Sequence, residues 1–426
     1  MEIKVDYGKN GLNFIPNPNW NLEIISPKTL EVLPSPVKSI EKAINNPIGC
    51  PNLKSIINKK RGIENVCIVV SDATRPVPSH LILEAVLNQL NILGVKDENI
   101  TVLVATGLHR QSTKEDHQVI LGPSLYKRLK VIGHDSKDRK SLKQIITSNN
   151  TFLINKQYCE SDLKIITGYV EPHFFFGFSG GRKSILPGIA GEDTIQNNHS
   201  ADMIHSEYSR FGIYQENVMH KQALIVANAV GVDFAVNVCI NEKHQIVKVN
   251  AGNFEKVHEK LVKYQLENAF HPITDPYDII ICGNGGYPLD LNLYQAVKSM
   301  AIGEIAVKHG GTIISVNECI EGVGIRQDKF KELLFSGINP KEMYKQIMNG
   351  QITAPDQWEI QVLARVLQKA DVFVVSKLKE NELGNIGLKH ASSIEDAVEK
   401  SLQKQGHQAR ILVLPNGPQV LPLMRK

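Results

Sequence analysis

Short apolar runs recur along the chain, and each stops abruptly at a polar segment rich in glycine or proline. The first clear one lies in ENVCIVV, residues 64–70, and passes straight into SDATRPVP. A second, residues 100–105, passes into TGLHR. Unbroken apolarity over about four to eight residues reads as a strand covered on both faces. Residues 81–93 between them have helical spacing, so strand, helix and strand alternate and predict a parallel sheet. Ser112 and Glu115 offer a capping box for the next helix. Further strands are expected at 130–134 and 163–170, and FAVNVCINEKHQIVKVNAG reads as a hairpin turning at Asn241 and Glu242. Residues 253–268 form an amphipathic helix by spacing. The first 27 residues, with their Gly, Asn and Pro, read as short strands and turns.

HPITDP, residues 271–276, interrupts this alternation with two prolines and marks a domain boundary. The expected domains are 1–272 and 273–426. The second repeats the pattern with strands at 278–282, 312–316, 372–376 and 411–414 and a helix at 291–309. The fold class is therefore α/β, with two α/β domains built on mainly parallel sheets. Ligands of such sheets sit beyond the carboxyl ends of the strands. Topology alone thus puts Asp72, Arg75 and His109 on one rim, and GNGGYPLDLNLYQAVKSM on the corresponding rim of the second domain.

Composition narrows the function more by exclusion than by direction. The apolar fraction is 42%, the charged fraction 22%, and the net charge +4 over 426 residues, too small to argue for nucleic acid or a membrane surface. The six cysteines are scattered and never form C-x-x-C, as expected of a protein in the reducing cytoplasm. The opening MEIKVDYGKNGLNF lacks the apolar core of a signal peptide, and no run is long enough to cross a bilayer.

The densest chemistry lies at residues 167–199, TGYVEPHFFFGFSGGRKSILPGIAGEDTIQNNH. Glycines here, with the adjacent Arg182 and Lys183, suit an anionic group such as a phosphate. GFSGGRKS approaches a Walker A loop, but Arg182 stands where a glycine is required, and Pro187 and Gly188 would break the helix that must follow. His109, His173 and His199 lie in or beside glycine-bearing loops. Two of them suit acid and base, or one suits a metal through a single nitrogen. There is no H-E-x-x-H and no cysteine cluster, so a metal would need most of its ligands from an organic cofactor. The other histidines read as core or surface residues.

DATRP at 72–76, TGLHR at 106–110, EPHFFFGFSGGRKSILPGIAG at 171–191, NNH at 197–199 and YQAVK at 294–298, together with Trp358, resemble the nickel-pincer lactate racemase family over nearly the whole chain. The resemblance implies nickel and a pyridinium-3-thioamide-5-thiocarboxylic acid mononucleotide, the nickel-pincer nucleotide, joined covalently to Lys183. It implies His199 as the protein's ligand to nickel and His109 and His173 as the catalytic acid/bases. Asp72, Arg75, Ser179, Gly180, Gly181 and Tyr294 fall on positions implied to hold the cofactor, and Arg75, Gln295, Lys298 and Trp358 on positions implied to hold substrate. Trp358 equally suits interdomain packing.

The activity so implied is racemisation of a small 2-hydroxy acid, lactate foremost, in a cleft between the domains. The Cα hydrogen beside an ionised carboxylate is weakly acidic, so leaving as hydride avoids a carbanion, and one histidine per face handles the hydroxyl proton. Partners are then the 2-hydroxy acid and cofactor-maturation proteins. The alternatives are a racemase or epimerase of a larger 2-hydroxy acid or sugar acid with the same cofactor, and a phosphate- or nucleotide-binding protein without nickel.

Overall fold

The computed structural model describes residues 2–60, 62–147, 150–325 and 327–424. It separates into two compact units, one of Thr29–His199 with Glu207–Leu266, the other of Met1–Lys28, Ser200–Ser206 and Glu267–Lys426.

In the first unit a six-stranded sheet runs in the order Ile246–Gly252, Phe234–Ile240, Leu163–Tyr169, Val66–Ser71, Ile100–Ala105, Lys130–Gly133. Neighbours are parallel except for the antiparallel hairpin of Phe234–Ile240 and Ile246–Gly252. Apolarity on both faces of the Val66–Ser71 strand explains its central place. Val66, Ile68 and Val70 join Ile82, Leu83, Val86 and Leu90 of helix Ser79–Ile92 in one core, while Cys67 and Val69 are fully buried on the opposite face. The chain winds outward one way through residues 66–133 and the other way through 163–252. Strand order therefore reverses between Val66–Ser71 and Leu163–Tyr169, where α/β sheets open a ligand crevice.

Two local expectations shift. The helix after TGLHR is capped by Thr113 with Asp116, one residue beyond the Ser112 and Glu115 pair, and the Ser112 hydroxyl instead bonds Nε2 of His117 at 2.8 Å. Thr113-x-x-Asp116 has the same spacing, and there both reciprocal bonds close. The hairpin turns through residues 241–245 rather than two residues, with His244 at φ 58°.

The second unit's sheet is parallel throughout, in the order Leu388–His390, Asp371–Val375, Val307–Val316, Tyr277–Gly283, Arg410–Leu414, Asn21–Ile24. This corrects the expected 1–272 domain: the first 28 residues belong with the C-terminal part, because Asn21–Ile24 adds to its edge beside Arg410–Leu414. The helix expected at 291–309 ends at Ala306, and Val307 already begins the strand that pairs with Tyr277–Gly283. Among the described residues no helix is long and apolar enough to cross a membrane.

Candidate active site

Asp72 and Arg75 follow the Val66–Ser71 strand, and His109 follows Ile100–Ala105. Asp72 is buried, and its Oδ2 lies 2.6 Å from Nδ1 of His109. Its Oδ1 accepts from the Thr74 amide at 3.2 Å and the Thr74 hydroxyl at 2.7 Å, which fixes the carboxylate plane. Burial alone would raise the Asp72 pKa. The facing His109, then Arg75 and Thr74, outweigh it and hold the carboxyl below its ordinary value. An ionised acceptor at Nδ1 keeps the ring hydrogen there and leaves the Nε2 lone pair of His109 for proton uptake. The loop carrying His109 is itself tied down. Thr106 donates to the carbonyl of His134, His134 Nε2 donates to the carbonyl of Ala190, and the Gly107 amide donates to the carbonyl of Gly188.

The glycine-rich stretch follows strand Leu163–Tyr169, on the other side of the switch point. Pro172–His173 pairs with Gly177–Phe178 as a minimal hairpin, and Gly181–Ser184 makes a 3-10 turn. This stretch does not turn its amides toward an anion as the sequence suggested. The Ser179 amide donates to Glu171, the Lys183 amide to Gly180, and the Gly181 amide to Oδ1 of Asn237 at 2.7 Å. The Ser179 hydroxyl staples the strand end, donating to Tyr169 O and accepting from Glu171 N. Arg182 is fully buried and directs its guanidinium to the carbonyls of Phe176, Ser179 and Gly180. Glycine is required here for close approach: at Gly177, φ 76°, a Cβ would stand 1.9 Å from the Ile213 carbonyl oxygen, and at Gly180, φ 74°, 2.7 Å from that of Tyr169.

What the stretch does present converges on Phe175. The His173 ring lies 4.7 Å from its ring centroid, the His199 ring 5.2 Å, and Lys183 Nζ 5.9 Å. Lys183 Nζ is also 4.4 Å from the centroid of Phe176. His173 is buried, and its Nδ1 accepts from the Phe176 amide at 3.3 Å, which leaves the hydrogen of the neutral ring on Nε2. His199 ends helix Glu192–Asn198 and points Nδ1 at the Ile195 carbonyl 3.1 Å away. A hydrogen on Nδ1 bares the Nε2 lone pair, the arrangement of a metal-binding histidine oriented by a backbone carbonyl. Burial, reinforced by the charge of Lys183, pushes the His199 pKa down to about 3, so the ring is neutral as a ligand must be.

The donor set fits a metal brought by an organic group. Among the described residues no cluster of three or more His, Cys, Asp and Glu could hold an ion, so His199 would provide one nitrogen and the remaining ligands would come with the cofactor. The Lys183 amine beside it suits covalent anchorage.

Tyr294, Gln295 and Lys298 lie in the second unit on helix Leu293–Ala306, whose first turn is capped by Asn292. Lys298 donates to the Gln295 side chain, and the Gln295 carbonyl is held by Asn284 from the loop after strand Tyr277–Gly283. Trp358 donates its indole hydrogen to the Tyr294 hydroxyl at 3.2 Å, and that hydroxyl donates to Asp356 at 3.1 Å. Trp358 thus orients Tyr294.

Several contributors escaped the sequence reading. His258 and Gln265 lie on the buried face of helix Phe254–Asn268 and bond the carbonyls of Ser179 and Val170. Asn237 does similar work from the middle of a buried strand. The available signal was a polar side chain on a face whose spacing is otherwise apolar.

Comparison with known proteins bears on the whole arrangement. Family models described as the lactate racemase N-terminal domain and the lactate racemase C-terminal domain match residues 7–212 and 273–421. A lactate racemase of Lactiplantibacillus plantarum is 39% identical over 385 residues, 89% of either chain. One of Thermoanaerobacterium thermosaccharolyticum is 36% identical over 427 residues, 98% of either chain. The solved lactate racemase apoprotein from Thermoanaerobacterium thermosaccharolyticum superposes with a TM-score of 0.91 at 34% identity, covering all of both chains. A Thermotoga maritima protein shares the fold, with a TM-score of 0.70 at 17% identity over 93% of this chain and all of that one.

Proposed function

The chain belongs to the lactate racemase family, and on that premise we propose that it interconverts the D and L enantiomers of lactate. The observation that carries this reading is the grouping of His173, His199 and Lys183 around Phe175 in the unit that also holds the Asp72–His109 pair. Lys183 would anchor the nickel-pincer nucleotide and His199 Nε2 would ligate its nickel, delivered by maturation proteins. When bound, that group supplies an acceptor that takes the Cα hydrogen as hydride and gives it back.

The chain's own residues manage protons and charge. His109 Nε2 takes the substrate hydroxyl proton, and Asp72 stabilises the imidazolium that results. His173 would be the base for the opposite face of the substrate, a role that requires its ring hydrogen to move from Nε2 to Nδ1 and the contact with the Phe176 amide to be given up. Arg75, with its planar fork, and Lys298, as a point charge, suit the carboxylate, Gln295 adds a neutral hydrogen bond, and Tyr294 would serve the cofactor. Ser179, Gly180 and Gly181 shape the seat of Lys183 through the backbone. The amides of Ser179, Gly181 and Lys183 are spent within the protein, which counts against a phosphate- or nucleotide-binding protein without nickel.

The test uses protein produced alongside the cofactor-synthesis enzymes. Intact mass should rise by the mononucleotide, with the addition mapping to the Lys183 peptide. D- and L-lactate should then interconvert with a Cα deuterium label retained, and a panel of larger 2-hydroxy acids should turn over more slowly. Full activity of unmodified protein, or free exchange of the label with water, would replace this reading with simple enolisation.

A further inference from the structure

We propose that Arg182 and His258 are positioning residues that present Lys183 for attachment of its cofactor, an inference that rests on the function proposed above. Arg182 has no exposed surface, and its hydrogen bonds go to three carbonyls, with His258 Nε2 lying 2.9 Å from its Nη1. No carboxylate among the described residues neutralises it, and burial pushes its pKa down to about 9. An unpaired buried cation is unfavourable by several kcal/mol, so a tie needed only for folding would be served better by a neutral donor. The charge has a focus. Arg182 Cζ lies 5.4 Å and Lys183 Nζ 4.4 Å from the centroid of the Phe176 ring, so two cations share one aromatic side chain. Such packing keeps the lysine stem against the ring.

His258 completes the clamp from helix Phe254–Asn268. Its Nε2 lies 2.8 Å from the Ser179 carbonyl oxygen and 2.9 Å from Arg182 Nη1, and its Nδ1 lies 3.4 Å from the Tyr214 hydroxyl. The ring also lies flush against Gly181, where a Cβ would come within 2.9 Å of it. With Asn237 holding the Gly181 amide, the backbone of 179–181 is gripped from behind by side chains of two other elements and by Arg182. Lys183 is the next residue, and its own amide is bonded to Gly180. The direction of its side chain is therefore set by a clamp that touches neither substrate nor metal.

The experiment compares the wild-type chain with R182M, H258N and H258Q, each produced with the cofactor-synthesis enzymes. It reads the modified fraction of the Lys183 peptide and the melting temperature of the unmodified protein. Glutamine keeps an N–H donor within reach of Ser179, whereas asparagine, one methylene shorter, withdraws it. Misaligning a reacting group by about 1 Å commonly costs tenfold or more. R182M and H258N should therefore still unfold cooperatively yet carry about a tenth or less of the wild-type modification, and H258Q should recover most of it. Wild-type modification in R182M and H258N overturns the clamp, as does equal modification of H258N and H258Q. Should R182M not fold, the two His258 variants decide. An unmodified wild-type chain instead sinks the proposed function. The clamp is then judged on unmodified protein by the acetylation rate of Lys183 with acetic anhydride, and equal rates in H258N and H258Q overturn it.

Discussion

At Asp72, opposing forces on one carboxyl decide what the neighbouring imidazole can do. Burial favours the neutral acid, but His109, Arg75 and Thr74 win, so His109 always faces an ionised partner. In D72N the amide offers a weaker acceptor or the wrong donor, and the ring loses its fixed tautomer. We expect kcat with either enantiomer to fall about 100-fold or more with KM changed only a few-fold, measured by chiral chromatography of the product. An unchanged kcat would remove Asp72 from the proton path. Asp72, Arg75 and His109 were legible in the sequence because each directly follows an apolar run whose end marks the ligand side of a sheet. Arg182 was misread as a charge facing the ligand, since sequence cannot tell which of two adjacent cations turns inward. Asn237 and His258 were passed over because an isolated polar residue in an apolar pattern has no distance attached to it.

At the level of elements, glycines in the 167–199 stretch serve packing, and that makes them unequal. Gly177 and Gly231 have nearly the same left-handed φ, 76° and 77°, but a Cβ on Gly231 meets nothing within 4 Å. Gly231 closes the helix Val218–Val230, and its carbonyl accepts from the Tyr158 hydroxyl at 2.9 Å. G231A should therefore cost about 1–2 kcal/mol, the strain of the backbone region alone. G177A adds a collision with the Ile213 carbonyl and should cost at least about 3 kcal/mol. Urea unfolding of the two variants side by side checks the difference, and equal losses would mean that the 177–213 contact yields freely. Strand and helix types were readable for most of the two main sheets, because buried parallel strands are continuously apolar and the helices between them are periodic, whereas the short strands Leu142–Ile146, Thr151–Asn155 and Phe270–Ile273 went unread. Exact ends were not: both the Ser112 and the Thr113 pairs satisfy the capping pattern, and only the closure of hydrogen bonds chooses between them.

Over the whole molecule, buried neutral histidines make the fold sensitive to acid. His199 and His220 both titrate at about 3 when folded, burial being the main cause, and burial depresses His134 and His258 in the same direction. An unfolded histidine takes up its proton near pH 6.5. Between those values the unfolded chain holds a proton that the folded one lacks, so stability is fully present above about pH 6.5 and drains away as pH falls toward 3. His199 and His220 should each contribute roughly 1.4 kcal/mol per pH unit inside that window. Asp72, depressed below its ordinary value, adds a further loss as pH falls below the ordinary carboxyl range. Urea midpoints taken from about pH 7 down to about pH 5 should fall steeply in the wild type and less so in H220F. A flat profile would show these rings protonated in the native state. The two α/β sheets were expected from alternation alone, but the membership of residues 1–28 was not, because pairing across nearly four hundred residues leaves no local trace.

That distant pairing bears on how the protein is made. Strand Asn21–Ile24 is synthesised nearly four hundred residues before its neighbour in the sheet, Arg410–Leu414. At roughly 5–20 residues per second the early strand waits on the order of 20–80 s for its template. Its exposed and half-exposed alternation, with Glu23 later accepting from the Tyr277 hydroxyl, gives it little apolar surface to stick elsewhere meanwhile. Synthesis of Arg410–Leu414, rather than emergence of Asn21–Ile24, is then the moment at which the second sheet can close.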